Sequence, residues 1–228
     1  MKYEGQWIPN TMIREGRGRQ IWKDGSLYEG WFKNDKAHGR GRLIHADGDV
    51  YEGLWMNDMA HGYGVYTHSD GARYEGDWHY DKQHGNGKET WPDGSSYDGQ
   101  YINGVKNGQG LFKWDDGNTY YGEFQENNIQ GKGTYLWQDG RKFEGDWVNN
   151  KIQGHGIFTW PDGRKYEGEY VNDQKDGQGT FYWPNGRMYK GGWKQGKMDG
   201  EGTYISENGK VRSGVWKDGK RIHWIDES

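Results

Sequence analysis

Cysteine is absent from the 228 residues, which excludes disulfides, thiol nucleophiles and thiolate metal sites. Hydrophobic residues are scarce at 31% of the chain, a share that by itself points toward disorder. No run approaches the 18 apolar residues of a membrane-spanning helix. The opening MKYEGQWIPN has no apolar segment of the kind a secretory leader carries. An excess of either charge is missing too: 30 basic and 34 acidic residues are well mixed and leave a net charge of −4. Without a Lys/Arg cluster, neither nucleic acid nor a strong electrostatic attraction to anionic membranes is expected. The chain reads as soluble and intracellular.

Aromatics and glycine are plentiful, at 16% of residues and 41 residues respectively. Disordered segments are poor in aromatics, so a core here has to be made of Trp, Tyr and Phe. Each such side chain removes roughly 150–250 Å² from water when buried. That is enough to order a thin structure.

The aromatics and glycines recur at a fixed interval. The pattern aromatic-x-Gly-x-aromatic begins at Tyr28, Tyr51, Tyr74, Tyr97, Tyr120, Phe143, Tyr166 and Tyr189, always 23 residues apart. An earlier copy begins at Tyr3, with two extra residues within IPNTMIREG. Each copy continues to Gly-x-Gly, as at Gly154/Gly156 and Gly177/Gly179, and then to Asp-Gly or Asn-Gly. A degenerate copy from Arg212 lacks the later glycine pair and forms a terminal cap over 212–228. The array fills residues 1–228 and leaves no room for a separate catalytic domain.

Each repeat reads as two short strands. Alternation places Tyr166, Gly168 and Tyr170 on one face and Glu167 and Glu169 on the other. Glycine every few residues argues against helix, at about 1 kcal/mol each. In WPDGRKYEGEY, Trp160–Tyr170, the Pro-Asp-Gly segment suits a type I turn closed by a left-handed glycine at Gly163. That three-residue loop sets Phe158 opposite Tyr166, Gly156 opposite Gly168 and Gly154 opposite Tyr170, so all aromatics of the hairpin share a face. The other face then opposes Arg19 to Glu29, Arg42 to Glu52 and Lys88 to Asp98. Where the acidic position is lost, at Tyr121 and Lys190, the facing residues Leu111 and Thr180 are not basic. Each such pair is worth only about 0.2–1 kcal/mol.

The units YEGEYVNDQKDGQG (Tyr166–Gly179) and FEGDWVNNKIQGHG (from Phe143) closely resemble the MORN (membrane occupation and recognition nexus) repeat. The resemblance covers nearly the whole chain in nine tandem copies, with Tyr121, Lys190 and Ser206 as single departures from the pattern. It implies an all-β fold, an elongated single-layer array of antiparallel β-hairpins. It also implies a scaffold or adaptor in the cytoplasm, in a cytoskeletal or ciliary setting. Arrays of this family occur in radial-spoke proteins, junctional membrane proteins and modules attached to lipid kinases. Nothing in the chain resembles a kinase domain, and enzymatic activity is not expected.

About 19 strands at roughly 4.8 Å spacing would make a ribbon near 90 Å long. A single layer leaves part of its aromatic face open, and such surface marks interaction sites. The candidate contacts are Trp55, Trp78, Trp91, Tyr101, Trp114, Phe124, Trp137, Trp147, Trp160, Tyr170, Trp183 and Trp193. The expected occupant is a helical or extended segment of a protein partner. The alternatives are a second copy of the chain, or anionic phospholipid held by basic residues such as Arg40, Arg42, Lys82 and Lys88.

Other apparent sites dissolve into the repeat. His38, His61 and His84 each precede a Gly-x-Gly, but Asn107, Gln130, Gln153, Asp176 and Asp199 take the same place. A short polar group bonded to turn backbone accounts for all of them, and no metal is expected. DGDVYE (Asp47–Glu52) mimics part of a calcium loop but falls on the recurring hairpin turn. The Gly-rich runs lack the Lys-Ser or Lys-Thr of a phosphate loop. The repeated carboxylates, such as Glu29, Glu52 and Glu75, form a regular solvated row rather than a contrasting catalytic pair. No cofactor is expected.

Overall fold

The computed structural model describes residues 1–225. The last three residues of the expected cap 212–228 lie outside the described residues. The chain divides into two compact units, Met1–Asp115 and a second that begins at Asp116.

The first unit opens with β1 (Lys2–Trp7), β2 (Arg14–Ile21), β3 (Leu27–Lys33), β4 (Lys36–Ile44) and β5 (Val50–Met56). It continues with β6 (Met59–Thr67), β7 (Arg73–His79), β8 (Lys82–Thr90), β9 (Ser96–Ile102) and β10 (Val105–Lys113). The second unit holds β11 (Thr119–Gln125), β12 (Asn128–Leu136), β13 (Lys142–Val148), β14 (Lys151–Thr159) and β15 (Lys165–Val171). It ends with β16 (Gln174–Tyr182), β17 (Met188–Lys194), β18 (Lys197–Ile205), β19 (Val211–Lys217) and β20 (Lys220–Trp224). Within each unit every strand pairs antiparallel with the next, in one layer. No helix occurs among the described residues. The terminal strand β20 is one more than the repeat pattern alone suggests.

The expected register is the observed one. Gly154 faces Tyr170, Gly156 faces Gly168 and Phe158 faces Tyr166. The Gly163 N–H donates to the Trp160 carbonyl, and the Trp160 N–H to the Arg164 carbonyl, both at 3.0 Å. Gly163 has φ +88°, the left-handed conformation that closes the loop. Arg19 meets Glu29 at 3.2 Å and Arg42 meets Glu52 at 4.0 Å. Lys88 faces Asp98, and Thr180 faces Lys190.

A second connection, not read from the sequence, joins the two strands of a repeat. Asn172 and Asp173 both have positive φ, 47° and 66°, which defines a tight type I′ turn. The turn is tied to the repeat before it. Asp173 donates its N–H to the Ile152 carbonyl at 3.0 Å, and its Oδ1 accepts the Ile152 N–H at 2.7 Å. Asp58 with Ala37 and Asn150 with Ile129 repeat this exchange. In the first repeat a longer loop closed by Ile8 and Ile13 (2.9 Å) absorbs the two extra residues.

The core of each unit is a column of rings. The leading aromatics Tyr28, Tyr51, Tyr74, Tyr97, Tyr120, Phe143, Tyr166 and Tyr189 are all buried. Each lies across a glycine pair contributed by adjacent strands. A methyl on Gly168 would stand 2.5 Å from the Gly179 Cα and 2.7 Å from the Tyr166 hydroxyl, so the ring occupies the space that side chains would need. The Tyr28 and Tyr166 hydroxyls donate to the carbonyls of Trp31 (2.9 Å) and Glu169 (3.1 Å), satisfying their buried ends. The next aromatic of each repeat links it to the one before. Trp55 packs edge-on against Tyr51 at 5.0 Å and against Tyr28 of the preceding repeat at 5.2 Å. Trp193 does the same with Tyr189 (5.6 Å) and Tyr166 (5.0 Å). Each edge-to-face contact contributes about 0.5–1.5 kcal/mol beyond burial.

Candidate interaction surfaces

The fold sorts the twelve aromatic candidates into two sets. Trp55, Tyr101, Phe124, Trp147, Tyr170 and Trp193 are between 2 and 8% exposed and belong to the ring column. They present almost no area to a partner: Phe124 packs against Tyr120, and each of the other five is wedged between the leading rings of two repeats. Trp78, Trp91, Trp114, Trp137, Trp160 and Trp183 are half-buried.

Five of these six tryptophans stand just before the Asp-Gly or Asn-Gly turns, Trp91 and Trp114 in the first unit and Trp137, Trp160 and Trp183 in the second, whereas Trp78 sits in the ring column between Tyr51 (5.2 Å) and Tyr74 (5.1 Å). In the second unit the three form a continuous row: Trp137 lies 5.1 Å from Phe158, Phe158 4.4 Å from Trp160, Trp160 5.6 Å from Phe181 and Phe181 4.7 Å from Trp183. Arg141, Arg164 and Arg187 stack over Trp137, Trp160 and Trp183 at 5.2–5.4 Å. Trp22, His45 and His68 hold these places at the start of the first unit.

Two lysines enter the rings. Lys106 stands 5.0 Å from the Trp91 ring and 5.1 Å from Tyr97, and its ammonium meets Glu89 at 2.8 Å. Lys175 has four rings at 5.0–5.1 Å, those of Trp160, Tyr166, Phe181 and Trp193. Burial, with the Arg164 charge adding to it, lowers the Lys175 ammonium to about 8. Burial also raises the tyrosine hydroxyls of the column, those of Tyr97 and Tyr189 to about 12.

The opposite, charged face of the first unit carries a concavity of about 1120 Å³. Arg17, Arg19, Arg40, Arg42 and Arg73 line it together with Glu4, Glu29 and Glu52, and the apolar side chains Trp31, Leu54 and Tyr63 interrupt the charges. None of the twelve aromatic candidates lines it. A signal for this surface is present in the sequence. The third residue after the leading aromatic is Gln6, Asp77, Gln100, Glu123, Asp146 or Glu169 in most repeats, but Trp31 and Leu54 in two neighbouring ones.

The residues preceding Gly-x-Gly bond to turn backbone, as their chemistry suggests. Gln130 accepts the Asn149 N–H at 2.9 Å, and Gln153 accepts that of Asn172 at 3.1 Å. His84 accepts the Asn103 N–H at 3.4 Å, whereas the buried Nδ1 atoms of His38 and His61 have no partner. Asp49, within the calcium-like DGDVYE, accepts from the Ser69 N–H (2.9 Å) and the Tyr66 hydroxyl (2.7 Å), joining adjacent turns. Among the described residues no three His, Cys, Asp or Glu side chains converge to hold a metal ion. No helix there is long and apolar enough to cross a membrane.

The MORN repeat family matches at residues 13–27, 28–50, 51–73, 74–96, 97–119, 120–140, 143–163, 166–186 and 189–211, and the chain belongs to that family. No curated protein matches the sequence. Among solved structures, the G-box domain of the microcephaly protein CPAP is similar at 14% identity and a TM-score of 0.42, over 89% of this chain and 100% of that one. The TCP domain of Drosophila melanogaster SAS-4 (dCPAP), solved with a proline-rich motif of Ana2 (dSTIL), is 14% identical with a TM-score of 0.43, covering 74% and 96%. The TCP10 domain of Danio rerio CPAP, solved with a STIL peptide, is 15% identical with a TM-score of 0.37, covering 98% of each chain.

Proposed function

We propose that this protein is a non-enzymatic scaffold that holds a helical or extended segment of a partner protein along its aromatic face, in a cytoskeletal or ciliary assembly of the cytoplasm. The contacts are Trp78, Trp91, Trp114, Trp137, Trp160 and Trp183. The sealed rings of Trp55, Tyr101, Phe124, Trp147, Tyr170 and Trp193 belong to the adjoining ring columns and are not contacts.

The observation that carries this reading is the continuous row of half-buried indoles Trp137, Trp160 and Trp183 on the second unit's single-layer sheet. Rigid, partly open tryptophans supply contact area with little loss of side-chain freedom, and interface energy concentrates on them. The arginines stacked on Trp137, Trp160 and Trp183 supply a charged rim that can choose among partners. Membership of the MORN repeat family agrees with a scaffolding role.

The test is the double variant Trp137→Ala/Trp160→Ala. It is expected to keep its circular dichroism spectrum and lose the proteins that the wild-type chain captures by proximity labelling in its native cell. A folded double variant that retains every one of those proteins would end the proposal.

A further inference from the structure

The charged face of the first unit holds polar groups that the chain itself satisfies in other repeats. In six other repeats the third residue after the leading aromatic turns its side chain onto the backbone N–H between the paired glycines, whereas Gly192 in the repeat led by Tyr189 has no side chain to offer. Gln6 accepts from Arg17 at 2.7 Å, Asp77 from Asn86 at 3.1 Å and Gln100 from Gln109 at 2.8 Å. Glu123, Asp146 and Glu169 do the same for Lys132, His155 and Gln178 at 3.0–3.1 Å. Trp31 and Leu54 hold this position in two neighbouring repeats, where their side chains lie over Gly39 and Gly62 and offer no acceptor. The N–H groups of Arg40 and Tyr63 therefore lack this side-chain cap.

The charges beside them are also incomplete. Arg19 and Arg42 are matched to Glu29 and Glu52. Arg17 and Arg40, one repeat apart and both exposed, meet no carboxylate within ion-pair distance among the described residues. Arg17 lies 6.0 Å over the Trp31 ring instead. Trp31, Leu54 and Tyr63 are 47%, 38% and 52% exposed, a high share for large side chains lining one concavity; the Tyr63 hydroxyl is held by Glu75, which leaves its ring as the open surface.

We propose that this concavity binds an extended acidic segment of another protein, with carboxylates three residues apart on Arg17 and Arg40 and apolar side chains between them on Trp31, Leu54 and Tyr63. The spacing argues for an extended chain. Equivalent positions of adjacent repeats are two strand spacings apart, about 9.6 Å. Three residues of a polyproline II chain span about 9.3 Å. Such a chain also brings carbonyl oxygens for the uncapped N–H groups. Glu4, Glu29 and Glu52 line the same concavity and would repel a multiply charged lipid headgroup, whereas single carboxylates interleaved with apolar side chains can pass between them. This surface lies on the face opposite the tryptophan row and stands whether or not that row binds a partner.

The test titrates the full chain against a fluorescein-labelled peptide of repeated Glu-Pro-Leu triplets, with Lys-Pro-Leu triplets as the control, and reads fluorescence anisotropy. The glutamate peptide is expected to bind saturably, more weakly as salt rises. The double variant Arg17→Glu/Arg40→Glu is expected to weaken binding on the order of tenfold or more. Trp31→Gln/Leu54→Gln should weaken it comparably at unchanged or higher Tm, because the new carboxamides cap the N–H groups as Gln6 and Gln100 do. Equal binding of both peptides, no saturable binding of the glutamate peptide, or wild-type affinity in either variant would overturn the proposal. So would capture by phosphoinositide vesicles that the glutamate peptide fails to displace.

Discussion

In the first unit, Lys106 stands among Trp91, Tyr97 and Tyr101 and is neutralised by Glu89. In the second, Lys175 takes the same place among four rings, and Phe158 stands where Glu89 would be. The contrast extends to the two faces. The first unit gathers arginines and exposed apolar side chains in a concavity on its charged face. On its own charged face the second unit has Glu123, Glu144, Asp146, Glu167 and Glu169, while its aromatic face carries the continuous tryptophan row. One backbone plan serves both. Tyrosine over glycine builds the sheet, which leaves the remaining positions of the repeat free to take on different chemistry in each unit.

Alkaline pH should have the largest effect and break both units. An unfolded tyrosine ionises near 10, whereas burial raises Tyr28, Tyr51 and Tyr74 in the first unit and Tyr120, Tyr166 and Tyr189 in the second. Above that pH the unfolded state binds fewer protons than the folded one, so stability falls as pH rises. Lys175 acts with the opposite sign and only in the second unit. Its folded value of about 8 lies below the ordinary 10.5, so the unfolded chain holds the extra proton and stability rises between those values. Urea melts across this range should show a gain above pH 8 that Lys175→Met abolishes, then a loss from about pH 10. Stability that is flat through pH 11 would contradict the buried tyrosine column.

Methyl groups at the ring-covered glycines come next. A Cβ on Gly53 or Gly168 would lie 2.5 Å from backbone across the ladder, at Gly64 or Gly179. Each alanine variant should lose more than about 3 kcal/mol by urea denaturation. A loss in one unit alone would show that the two ring columns are not equivalent.

The lysine pair sharpens the comparison. Lys106→Met removes the cation from Glu89, leaves its carboxylate on the Tyr101 hydroxyl (3.1 Å), and should cost about 2 kcal/mol. Lys175→Met strands no carboxylate and puts in place the residue that Met198 already supplies one repeat later, so a change within about 1 kcal/mol is expected at pH 7. Equal losses in the two variants would mean that Glu89 makes no difference. The smallest effect is a gain. Phe143→Tyr should place a hydroxyl on the Asp146 carbonyl, as Tyr120 does on Glu123 at 3.1 Å, and add about 0.5–1.5 kcal/mol. An unchanged midpoint would deny that these hydroxyl bonds stabilise the column.

Much of the fold is legible in the chain because its determinants are local. The 23-residue interval, the Pro-Asp-Gly loop of Trp160–Arg164 and the alternation of Tyr166, Gly168 and Tyr170 set register and facing together. The Arg19–Glu29 and Thr180–Lys190 pairings follow from that same register. The type I′ turns were harder to read, since Asn-Asp, Tyr-Asp and Glu-Asn all serve there and the bonds to the preceding repeat hold them in place.

The sequence by itself determined the repeat, the hairpin and the shared aromatic face, because turn chemistry and strand alternation act between near neighbours. Only the tertiary structure decided that Trp55 and Tyr101 are sealed while Trp137 and Trp160 stay half open, and that Arg17 and Arg40 meet around one concavity. Burial and concavity depend on what the adjoining repeats place above and beside each ring, and a single repeat does not contain that information.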